Sequence, residues 1–128
     1  NDILDLARET MINGLGGDIP ENDIEAILAG LDACSNCEDI VLIADNMARI
    51  KDYELLEKIN KPVKVIVCGY RGAINTEYLN LARKTKGSIH TIEEDITDLM
   101  ELNEGEVITI DEYEYIIRNG EFKIVGKL

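Results

Sequence analysis

The residues best placed to do chemistry are three carboxylates, Asp18, Glu21 and Asp45. Two lie in Gly16-Gly17-Asp18-Ile19-Pro20-Glu21-Asn22, a glycine-rich acidic loop running into a helix. The third closes Ile40-Val41-Leu42-Ile43-Ala44-Asp45, an apolar strand that ends on an acid. In an α/β sheet, ligands gather outside the carboxyl ends of the strands. Acidic loops at that edge offer a divalent cation, Mg2+ or Ca2+, the oxygen ligands such ions take. The same residues have uses that need no ion. Asp18 is a good helix cap, Glu21 suits the positive end of a helix dipole, and Asp45 can cap the turn after its strand.

Three other groupings could carry chemistry. Cys34-Ser-Asn-Cys37 has C-x-x-C spacing, but it falls at a helix C-terminus, where the dipole does not stabilise a thiolate. A structural zinc would need two further ligands, and only Cys68 and His90 are on offer. Ordinary thiols or a local disulfide is the reading. His90 is the single histidine, in the strand-like run Ser-Ile-His-Thr-Ile. A lone strand histidine reads as a hydrogen-bonded structural residue. Neither Ser88 nor Thr91 is marked by the sequence as a nucleophile with a base, so no triad is expected. Gly69-Tyr70-Arg71-Gly72 follows a strand and precedes a helix, where a phosphate could sit at the helix N-terminus. It lacks both the G-x-G-x-x-G spacing and a P-loop lysine. It reads instead as a loop on the ligand edge, with Tyr70 and Arg71, together with Asn46, as partner contacts.

The elements that position these residues alternate. Residues 2–12 read as a helix with Ile3, Leu4, Leu6, Ala7 and Met11 apolar, broken by Asn13-Gly14 and Gly16-Gly17. The helix over 22–33 has Asp18 or Ile19 at its cap and Pro20 in its first turn. Its residues Ile24, Ile27, Leu28 and Leu31 form one apolar stripe. The continuous apolar run 39–44 predicts a strand covered on both faces. A short helix over 52–60, a strand over 62–68, a helix over 76–86 stopped by Gly87, and a strand over 88–92 follow. Glu93-Glu94-Asp95 reads as the acidic first turn of a helix over 95–102. Short strands over 106–110, 113–118 and 121–125 close the chain, with Asn119-Gly120 a type I′ hairpin signal. The alternation predicts an α/β fold with a mostly parallel, Rossmann-like sheet flanked by helices, plus a C-terminal antiparallel hairpin.

The bulk numbers bound the function. At 128 residues the chain fits one domain, a core over 1–103 and a hairpin extension over 104–128. A hydrophobic content of 45% with only two prolines excludes a disordered chain. A net charge of −13 repels nucleic acid and anionic membranes. No run approaches the roughly 20 apolar residues of a membrane-spanning helix. No general base near neutral pH stands out beyond His90, so a non-enzymatic role is preferred over a small α/β enzyme or nucleotide-binding domain acting through 69–75.

The strand ending in Asp45, the acidic Asp-x-Pro-Glu loop at Asp18–Glu21, the strand reaching Cys68, and the run from Leu79-Asn-Leu-Ala82 to Gly87-Ser-Ile-His-Thr91 resemble the von Willebrand factor A-like fold. The likeness covers roughly residues 10–103. It implies an adhesion-type interaction module in which Asp45, Glu21 and Asp18 hold a divalent cation and a protein partner supplies an open ligand. The family's Asp-x-Ser-x-Ser motif is absent from this sequence, and the resemblance implies a C-terminal portion of such a domain. The apolar strand 39–44 would be a poor free edge. It is expected to be covered by a preceding segment of the same protein, by a second copy, or by the C-terminal hairpin.

Overall fold

A computed structural model describes residues 2–14, 20–69 and 71–128. The first helix, α1 (Asp2–Asn13), forms as its periodicity predicts, but none of its residues is buried. Helix α2 (Asp23–Ala33) begins later than expected, because its cap comes from elsewhere in the chain. Asn22 makes no capping bond. Instead the Asp52 carboxylate accepts the amides of Ile24 at 3.2 Å and Glu25 at 2.7 Å. Pro20–Asn22 therefore precedes the helix rather than forming its first turn. Glu21 makes a parallel bridge to Ile50 instead, donating its N–H to the Arg49 carbonyl and accepting from Lys51, both at 2.8 Å.

Strand β1 (Ile40–Asp45) pairs in parallel with β2 (Val63–Cys68), and β2 in parallel with β3 (Ser88–His90). A 3₁₀ turn (Tyr53–Lys58) joins the first pair and helix α3 (Thr76–Lys84) the second. Two expectations fail at the next step. Residues 91 and 92 leave the sheet, and Asp95–Ile96 forms a short strand, β4, antiparallel to β3. The helix over 95–102 is reduced to a 3₁₀ turn at Leu99–Glu101. The cause is local: the Thr91 hydroxyl accepts the amides of Glu93 and Glu94, folding the acidic run into a tight turn. That turn brings Ile96 opposite Ile89.

The sheet order is β1-β2-β3-β4, so the most apolar strand is an edge. Ile40, Leu42, Ala44, Val63, Val65, Val67 and Ile89 face the core beneath α2 and α3. The other face is open among the described residues. Val41 is 53% and Ile43 69% exposed, which corrects the expectation of a strand covered on both sides; the helices that flank the sheet lie on its core face.

The C-terminal strands β5 (Val107–Ile110), β6 (Tyr113–Arg118) and β7 (Glu121–Lys127) form a separate antiparallel meander from the three strands the sequence predicts. Asn119 and Gly120 adopt φ of 54° and 75°, the type I′ turn the sequence signals. The meander packs on α3 rather than on β1. Tyr115 Oη accepts the Ile74 amide at 2.6 Å, and Asn80 Oδ1 accepts that of Phe122 at 2.7 Å. Helix α3 is thus buried between two sheets through Tyr78, Leu79, Leu81 and Ala82.

Candidate functional site

The parallel register places Asp45 beside Cys68, so the loops after β1 and β2 leave the same carboxyl edge. They are sewn together there. Asn46 Nδ2 donates to the Ala73 carbonyl at 3.0 Å, while its Oδ1 accepts the Asn75 amide at 2.7 Å. Asn75 in turn donates to the Ala48 carbonyl at 2.7 Å and caps α3 by accepting the Glu77 amide. The Glu77 carboxylate accepts the Ile50 amide at 2.7 Å and lies 3.7 Å from Arg49. Through the Glu21–Ile50 bridge, the segment before α2 joins the same array. Sequence reasoning placed Asn46 among partner contacts; its side chain is engaged in holding the edge together. Asn75 and Glu77 were missed, and only an Asn immediately before a helix signals the first.

Asp45 is exposed, with Oδ1 accepting the Met47 amide at 3.0 Å. Its carboxylate borders Gly69, whose φ of +66° favours glycine; an added Cβ would stand 3.6 Å from Asp45 Oδ1, an ordinary contact. Glu21 and Arg71 are also exposed. Asp18 and Tyr70 lie outside the described residues. Among the described residues, no three His, Cys, Asp or Glu side chains are grouped to hold a metal ion.

Two further groups can be set against the sequence reading. Cys34 and Cys37 form a disulfide, the local bond that was one of the two expected states, and Lys61 donates to the carbonyls of Ser35 and Cys37. Cys68 is a free, exposed thiol. His90 is not isolated. Its Nε2 lies 2.6 Å from Ser88 Oγ and its Nδ1 2.6 Å from Asp95 Oδ1. Strand alternation hid the first contact in plain view, since residues i and i+2 share a face. The second required β4, which the sequence reads as helix.

Below the edge sits a buried pair: Tyr78 Oη donates to Asp23 Oδ2 at 3.0 Å. Burial pushes the Asp23 carboxyl above its ordinary range, a shift the Tyr78 bond partly opposes. Burial and then the Asp23 charge push the Tyr78 hydroxyl upward as well. No helix among the described residues is long and apolar enough to cross a membrane. The chain matches no protein-family model, no curated protein and no solved structure.

Proposed function

We propose that this chain is a protein-interaction module, with a fold resembling the von Willebrand factor A-like domain, that takes its partner along β1 and the carboxyl-edge loops. The observation that carries this reading is β1 itself. It is an edge strand with no charged residue from Ile40 to Ala44, and its outward side chains Val41 and Ile43 are largely exposed. Edge strands left in water usually carry charges, proline or bulges that prevent pairing. From Ile40 to Ala44 this one has none of these, and Met47 extends the apolar surface to the edge loops at 76% exposure. Strand addition by another protein, by a preceding segment of the same protein, or by a second copy would satisfy both the backbone and the apolar face. With 26 acidic against 13 basic residues, nucleic acid is a poor partner.

A divalent cation, Mg2+ or Ca2+, belongs to the proposal as a shared ion. Asp45 and Glu21, with Asp18, would supply carboxylates, and the partner the remaining ligands. The rival reading, an enzyme or nucleotide site in residues 69–75, is less well supported. The first turn of α3 already receives the Asn75 side chain at the Glu77 amide and carries the Glu77 carboxylate, which repels an incoming phosphate.

Titration calorimetry with Mg2+, Ca2+ and Mn2+ on the wild type, Asp45→Ala and Glu21→Ala tests the cation. Saturable one-site heat lost in both variants supports it, and equal unsaturating heats in all three remove it. Sedimentation of the wild type against Ile43→Lys tests the edge. Concentration-dependent association abolished by Ile43→Lys identifies a second copy as occupant. A monomer at every concentration excludes that occupant, and fast amide exchange along β1 then locates the unfilled edge. Slow exchange along β1 in the monomer would overturn the open-edge reading.

A further inference from the structure

The open face of the sheet carries a second constellation, away from the carboxyl edge. Ser88 and His90 lie two residues apart on β3 and so point to one face, and the β3–β4 register places Asp95 opposite His90. The result is a continuous Ser–His–Asp chain with both links at 2.6 Å. A carboxylate only accepts hydrogen bonds, so the proton between Asp95 and His90 resides on Nδ1. Nε2 is then left with a lone pair, and the Ser88 hydroxyl donates to it. That is the order of roles in a serine nucleophile relay, in which geometry rather than sequence position identifies the members. An apolar groove of about 410 Å3, lined by Ile66, Val67, Cys68, Gly69, Thr91 and Ile92, lies beside the relay, which neighbours it through Ile66, the residue paired with His90. Ser88 itself is only 7% exposed, shielded from bulk water.

We infer that Ser88, His90 and Asp95 form an acyl-accepting site that takes small esters with an apolar acyl group. Ser88 Oγ attacks the ester carbonyl carbon as its proton passes to His90 Nε2. The bond from that carbon to the alcohol oxygen then breaks, and the alcohol leaves with the proton from Nε2. Water adds to the acyl-serine by the same route, giving the carboxylic acid and restoring Ser88. Asp95 is the positioning residue, fixing the imidazole tautomer.

The relay accounts for activation of the nucleophile, so the decisive readout is a covalent adduct. The intact chain is treated with diisopropyl fluorophosphate, whose fluoride leaves as the serine oxygen bonds phosphorus, and the adduct is mapped by mass spectrometry. The expected result is one adduct, on Ser88, absent from urea-unfolded protein. His90→Gln is expected to slow labelling by about a hundredfold, the scale of a lost general base. Asp95→Asn is expected to slow it too, with partial rescue by Asp95→Glu, which restores the carboxylate. No adduct on folded wild type, or an adduct elsewhere, overturns the site, as does labelling unaffected by His90→Gln. Because the adduct is mapped on the wild-type chain, the result stands even if Ser88→Ala fails to fold. A chain that merely locks β4 to β3 would give none of these signals.

Discussion

Asn46 and Asn75 bind each other's loops: the backbone amide of Asn75 donates to Asn46 Oδ1 at 2.7 Å, and the Asn75 side chain donates back to the carbonyl of Ala48, two residues past Asn46. The two residues are 29 apart in sequence, yet they fix the ends of β1 and the start of α3 as one rigid edge.

Replacing Asn46 with Ala removes one donor and one acceptor at once. The Asn75 amide and the Ala73 carbonyl then lose their partners in a half-buried position. The expected loss is about 1–3 kcal/mol, the cost of leaving such groups unpaired. A lower urea midpoint with an unchanged slope would show it, and an unchanged midpoint would mean that water replaces Asn46 fully.

Asp52 is a cap supplied across the chain rather than by the residue before the helix. Asp52→Ala exposes the first amides of α2 and is expected to cost about 1–2 kcal/mol, the range for lost helix caps. Asp52→Asn keeps one acceptor oxygen and should lose less. Thermal melts of the two variants rank them, and the reverse order would refute the capping role.

What the sequence made legible was period and punctuation. The stripe of Ile24, Ile27, Leu28 and Leu31, the apolar run into Asp45, and Asn119-Gly120 each encode local structure with little competition. The misses all turn on a side-chain or strand partner that periodicity does not show, whether near or far in the chain. Pro20 and Glu21 look like a helix start, and only the Asp52 carboxylate shows that the helix begins after them. Glu93-Glu94-Asp95 looks like a first turn, but the Thr91 hydroxyl bends it back and Ile89 pairs Ile96. The apolar run 39–44 looks central because its composition is that of a central strand. Its position at the edge follows from sheet order, which composition does not encode. At the candidate site, the place of Asp45 at the end of a strand was legible, whereas the Ser88–His90–Asp95 chain depends on a two-residue strand that has no sequence signature.

Gly87 is required for a different reason from the one its position suggests. The left-handed residue that ends α3 is Lys86, with φ of 60°, not the glycine after it. Gly87 instead lies against β2: an added Cβ would fall 1.8 Å from the Val63 carbonyl oxygen and 2.8 Å from the Val63 nitrogen. These are backbone atoms of a buried strand and cannot swing away. Gly87→Ala is expected to destabilise by about 3 kcal/mol or more, at the upper end of overpacking costs. The control is Gly30→Ala, where nothing lies within 4 Å of the new methyl, and a helix-interior glycine gives way to the best helix former. It should stabilise by about 0.5–1 kcal/mol. Equal melting temperatures for the two variants would sink the argument.

The Tyr78–Asp23 pair makes stability depend on pH at both ends of the scale. Desolvation raises the folded pKa of Asp23 above its ordinary 3.8, with the charges of Glu21, Asp52 and Glu77 adding to it and the Tyr78 hydroxyl opposing it. The folded state therefore holds a proton that the unfolded chain releases, and stability falls as pH rises from about 3.8 through the folded value. Tyr78, raised above its ordinary 10.0 by burial and by Asp23, repeats the pattern on the alkaline side. Its contribution is intact below pH 10 and declines above it, where the unfolded tyrosine ionises and the folded one does not. Asp23→Asn should abolish the acid-side decline relative to wild type while keeping an acceptor for Tyr78. Tyr78→Phe should lessen the alkaline decline, to which Tyr53, raised by its own burial, still contributes, and cost about 1–3 kcal/mol near neutral pH by leaving a buried carboxylate without its donor. Urea midpoints for the three proteins between pH 4 and 11 separate these effects. Parallel curves for wild type and Asp23→Asn would show that Asp23 titrates alike in both states, and the buried pair would then be no part of the protein's pH response.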